Sequence, residues 1–250
     1  MNHFSHPTLR FQHSTEKDID TFFDFVRDAQ YDEGRSLRWA VLDHFPELEK
    51  FFLKGKFIGN RQDIDTFVSK KHEKNQDRIQ EKLTEYTKSW AESEMHFFAL
   101  TEEIFGKRKW PEGKYIAYPT MWGMYPRFLD DKTFQVPFEG KMCTSINEIV
   151  THELLHFIFY DFFFTLFPNY AGEDREMFVW HVTEIFNTIV QNSEKWKKDF
   201  PNGTMGYPEH EEIVRKLSVK FPAIEQENIT PFSQEIVKSV LASNLPKDYE

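Results

Sequence analysis

Residues Asn147–Phe157 read NEIVTHELLHF. Two histidines, His152 and His156, stand four apart, and Glu153 directly follows the first. On an α-helix, residues four apart lie one above the other on the same face. Both imidazoles can therefore reach one metal ion at about 2.0–2.1 Å. Glu153 projects to the side, near the coordination position that such an ion leaves to water. A carboxylate there can take the water's proton as it attacks a carbonyl, then pass it to the leaving amine. Zinc assists by acidifying that water and polarising the carbonyl. Chance alone places this combination in a chain of this composition on the order of 0.04 times.

The flanks strengthen the reading. Ile149, Val150, Leu154, Leu155, Phe157 and Ile158 surround the motif with apolar side chains. Thr144 or Ser145 can cap the helix, and Glu148 lies three residues after Ser145, as a capping box requires. The helix is expected to run to about Phe164, because Pro168 and Asn169 mark a turn. A second helix is expected from about Asp174 to Trp196, followed by a loop, Phe200–His210. Two more helices follow, in PEHEEIVRKLSVKF and SQEIVKSVLASN, before the polar tail LPKDYE.

Upstream, Lys114–Thr120 (KYIAYPT) and Thr133–Phe138 (TFQVPF) read as strands. Met124–Leu129 (MYPRFL) is a weaker third, with a turn at Asp130-Asp131. The first hundred residues have helical texture. Ser14 caps a helix in STEKDIDTFFDFVRDAQ, SLRWAVLDHF ends at Pro46, and Ile64–Phe105 suggests one long helix or two in series. Lys70–Lys82, KKHEKNQDRIQEK, reads as a solvated face. The expected fold is α+β and mainly helical, with a small mixed sheet before the active helix. An N-terminal helical region, 1–105, is expected to pack with a catalytic region, 106–250, as one unit.

Composition narrows the function. Apolar residues make up 40% of the 250, with 27 Phe, which argues for a packed core rather than disorder. The net charge of −10, without a basic patch, argues against nucleic acid. The single cysteine, Cys143, cannot form an intramolecular disulfide, and no Cys–His pattern supports it as a ligand. The first residues lack the basic start and apolar run of a signal peptide. Phe157–Phe167, FIFYDFFFTLF, is short and carries Asp161, so no membrane span is expected. A cytoplasmic location follows as the expectation.

At the motif the sequence resembles the zincin metallopeptidases, whose pattern asks for uncharged residues around the two histidines. IVTHELLHFI meets that pattern throughout. The resemblance is close on this helix and looser over Lys114–Trp196. It implies a zincin-like fold, zinc, and hydrolysis of a peptide or protein substrate. One large zincin group takes a third His shortly after a Gly, but FIFYDFFF offers neither. The gluzincins take a Glu from the next helix, for which Glu173, Glu176 and Glu184 are candidates. His156 lies about eight residues, or roughly 12 Å, before the end of its helix. An antiparallel return helix comes level near residues 182–184, which favours Glu184. Many gluzincins use the spacing that Glu176 has from His156, so Glu176 stays open.

The expected assignment is zinc on His152, His156 and Glu184, with Glu153 as general base. His181, three residues before Glu184, is a supporting group, a substrate contact, a competing ligand or a buried histidine. Tyr207 and His210 are candidate oxyanion donors. TFQVPF, with Pro137, is a candidate edge strand for extended substrate. Phe162–Phe164 reads as core, with a substrate pocket as the lesser reading. Two alternatives remain: a zinc domain that hydrolyses another amide or lacks turnover, and a helical interaction module with a vestigial site.

Overall fold

A computed structural model of the chain describes residues 6–27, 37–138, 145–172 and 175–246. Two compact units form, and both are discontinuous in sequence. One takes Thr8–Lys88 and Lys114–Met142; the other takes Met1–Pro7, Ser89–Gly113 and Cys143–Glu250. The strands expected to go with the catalytic region thus cluster with the N-terminal segment, and the boundary does not fall at residue 105.

In the first unit the strands are β1 (Arg10–Phe11), β2 (Phe52–Leu53), β3 (Lys56–Phe57), β4 (Ile116–Thr120), β5 (Arg127–Phe128) and β6 (Thr133–Pro137). Four form a mixed sheet in the order β1-β4-β6-β5, with β4 parallel to both neighbours and β5 antiparallel to β6. The three expected strands are present, the weakest shortened to two residues. The turn between β5 and β6 closes with Lys132 in the left-handed region, at φ 56°. β6 is not an edge strand. It pairs with β4 along its whole length, while β5 and the Gln135 N–H donating to the Pro126 carbonyl (2.9 Å) cover its other side. All five of its residues are buried. The substrate-edge expectation for TFQVPF therefore falls.

The helices of this unit follow their caps. The Ser14 hydroxyl accepts from the Lys17 N–H (3.2 Å) to start α1 (Thr15–Thr21), which continues as a π-helical turn over Phe22–Arg27. α2 spans Leu37–His44. α3 (Arg61–Lys74) starts with a reciprocal Asn60–Asp63 capping box. Asn75 separates it from α4 (Gln76–Phe105), so the long helical stretch is two helices in series. Ile19, Phe22, Val26, Val41, Phe45, Leu48, Ile64, Val68 and Trp122 form the apolar core.

Beside that core lies a buried carboxylate. Asp18 accepts from the Thr120 hydroxyl (2.5 Å), the His72 Nε2–H (2.8 Å) and the Gln135 amide (3.2 Å). His72 belongs to the stretch expected to be solvated, but it is buried, with Asp18 as a partner. A buried charge is tolerated when its lone pairs are met in this way.

The second unit is built around α5 (Ile146–Leu166) and α6 (Glu176–Gln191), with α7 (Glu211–Lys220) and α8 (Ile229–Ala242) packed on α6. α5 is apolar on nearly every side, so it must be covered all round. By length and composition it could cross a membrane, yet 61% of its most apolar window is buried inside the protein, as in the core of a soluble protein. Phe159 stacks on Phe186 of α6, with centroids 3.7 Å apart, and Phe186 meets Phe232 of α8. Of the run Phe162–Phe164, Phe163 is fully buried and its two neighbours are half-buried. α6 ends at Gln191, five residues before the expected Trp196. There the Asn192 side chain takes over, donating to the carbonyl of Thr204. Cys143, Thr144 and Glu173 lie outside the described residues.

Candidate metal centre

The start of α5 is secured by Glu148. Its carboxylate accepts from the Ser145 N–H (2.8 Å), the half of the expected capping box that Glu148 supplies. It also accepts from the backbone N–H (2.7 Å) and side-chain amide (2.8 Å) of Asn202. One turn on, His152 and His156 share a face, with their Nε2 atoms 3.0 Å apart.

α6 runs antiparallel to α5. Contacts pair His152 with Gln191, Phe159 with Phe186, and Tyr160 with Thr183, so partners fall along one helix as they rise along the other. This brings Glu184 level with the two histidines. Its carboxylate oxygens lie 3.4 Å from His152 Nε2 and 3.3 Å from His156 Nε2. Ligand atoms about 2.05 Å from a tetrahedral ion stand about 3.3 Å from one another. These separations are close to that spacing, and His152, His156 and Glu184 could hold a metal ion.

Glu176, the first residue of α6, is exposed, two turns from Glu184. Among the described residues, the ligand group contains neither Glu176 nor His181.

The centre favours positive charge. Glu184 is 3% exposed and Glu153 6%, so both carboxylates are buried. Burial works against a charged His152 ring, but the hydrogen bond and charge of Glu184, with Glu153 and Gln191, outweigh it and raise its pKa. The potential that favours a proton there also favours a cation. Of the three ligand candidates, His152 is the one that reaches solvent.

Polar residues behind the histidines went unread in the sequence. The His152 Nδ1–H donates to Gln191 Oε1 (2.8 Å), and the Asn187 amide donates to the His152 carbonyl (2.9 Å). The signal was present: Asn187 and Gln191 follow Glu184 by three and seven residues, on one face of the helix.

The other expected residues form a neighbouring cluster. His181 Nδ1 and His210 Nε2 are 2.7 Å apart, and both rings are buried. Burial, then the nearby His181, pushes His210 down to about 4, so this ring is neutral at pH 7. Tyr207, 43% exposed, lies against Trp180 and His210. Its segment runs back along α6: Thr204 meets Asn192, Gly206 lies against Thr188, and His210 meets His181. The chain matches no family model, no curated protein and no solved structure, so the reading of this centre rests on its own residues.

Proposed function

We infer that this protein is a zinc-dependent hydrolase of peptide bonds, a metallopeptidase of gluzincin type with a zincin-like fold. The observation that carries the reading is the grouping of His152 Nε2, His156 Nε2 and the Glu184 carboxylate: the two nitrogens are 3.0 Å apart, one carboxylate oxygen lies 3.3 Å from His156 and the other 3.4 Å from His152. Two imidazoles and one carboxylate form a donor set that suits zinc and leaves a fourth position open. Zinc bound there supplies an acidified water and a Lewis acid for the substrate carbonyl.

The protein's own groups do the rest. His152, His156 and Glu184 hold the ion, and Gln191 keeps the His152 ring in place. Glu153, buried beside His152, accepts a proton from the attacking water at its carboxylate and returns it to the departing amine nitrogen. The low exposure of the carboxylates keeps competing water away and strengthens each charge interaction.

Metal content and peptide cleavage test this together. Wild-type protein should carry one zinc per chain and cleave members of a peptide library. His156→Ala should lose the zinc. Glu153→Gln should keep it and lose hydrolysis by about 10²–10⁴-fold. Full activity in Glu153→Gln would refute the mechanism.

A further inference from the structure

We propose that Gln191 is a positioning residue for the centre, and that a directed hydrogen-bond chain starting at the Glu148 carbonyl sets the tautomer of His152. The Thr151 hydroxyl donates to the Glu148 carbonyl (3.0 Å). Its single proton is thereby committed, so Thr151 Oγ1 can only accept from other groups. The Gln191 amide nitrogen donates to that oxygen (3.3 Å). This contact decides which way the amide lies: nitrogen toward Thr151, oxygen toward His152.

Gln191 Oε1 can only accept, so the His152 Nδ1 atom 2.8 Å away must carry the hydrogen. In the neutral ring Nε2 is then left without a hydrogen, on the side of Glu184 and His156, where a metal ion could take its lone pair. Gln191 and Thr151 are fully buried, so water does not compete for these bonds. Sequence spacing makes the chain possible. Thr151 precedes His152 by one residue on α5, and Gln191 follows Glu184 by two turns on α6, on the face turned to α5.

A carboxylate in place of Gln191 would accept from His152 equally well. It would add a third buried negative charge beside Glu184 and Glu153, and it could not donate to Thr151. The neutral amide orients the ring without that charge.

This role rests on the zinc reading, and the test separates the two. Long-range nitrogen–proton NMR of the metal-free protein reads the ring tautomer of His152 directly, and competition with a chelator reads zinc affinity. Read at alkaline pH, where the ring is neutral, wild type should show the Nδ1–H form. Gln191→Leu should lose it and bind zinc about 10–100-fold more weakly, while Gln191→Glu keeps the Nδ1–H form and stays within a few-fold of wild type. Thr151→Val leaves Gln191 in place and frees its amide to flip, so it should mix the tautomers even if Gln191→Leu folds poorly.

An unchanged tautomer in both Gln191→Leu and Thr151→Val would overturn the proposal. So would a loss in Gln191→Glu as large as in Gln191→Leu. A wild-type protein that takes up no zinc would sink the metallopeptidase reading alone, because the tautomer is measured without metal.

Discussion

Two acidic side chains on one helix face opposite fates. Glu184 sits among Val182, Ile185 and Phe186 and is buried, whereas Glu176 lies in the first turn of α6, where the helix dipole accommodates an exposed acid without further partners. Glu184→Ala should weaken zinc binding on the order of 100-fold or more, while Glu176→Ala should leave it unchanged, as calorimetric titration can show. His210 makes a separate prediction. An unfolded histidine titrates near 6.5, and the fold holds this ring near 4. The neutral form is the one that the fold favours, so the stabilisation is complete above about pH 6.5 and is lost as pH falls toward 4. The loss is at most about 3 kcal/mol, and less where water screens the ring. His210→Gln should flatten the fall in denaturation midpoint between pH 7 and pH 4.5. The level of Glu184 was legible because helical rise alone sets it. The direction of the Gln191 amide was not, because it depends on a hydroxyl 40 positions away.

Elements with strong local signals came through, and those defined by distant partners did not. The caps at Ser14 and at Ser145–Glu148 are readable within four residues. β1 is two residues long and exists only through its pairing with β4, more than a hundred positions later. β6 reads as a strand from its own residues, but whether it is central or at the edge depends on Arg127–Phe128 lying against it. α5 and α6 are held by aromatic packing as well as by polar groups. Phe159 and Phe186 are both fully buried in a face-to-face stack. Phe159→Ala should cost about 3–5 kcal/mol in chemical denaturation, because the rigid helices cannot collapse into the space left. It is not one of the three ligand candidates, so zinc stoichiometry should survive it under native conditions.

Across the whole molecule, the division into units is what the linear reading missed. Helical texture over the first hundred residues is a local property, but membership of a unit is decided by contacts between segments. Asp18 shows this: its partners come from residues 72, 120 and 135, and no window of sequence contains them. Asp18→Ala strands those buried donors and should destabilise the first unit by about 3–5 kcal/mol, measurable by urea unfolding. α4 carries the chain from one unit into the other, its residues to Lys88 counted with the first and the remainder with the second. Timing on the ribosome follows from this. The first unit cannot close until residue 142 has emerged, and the unit bearing the histidines must wait for segments near the end of the chain. The unit bearing the histidines cannot close until α6, α7 and α8 have followed α5, so the apolar α5 stays uncovered through that interval and is open to misassociation.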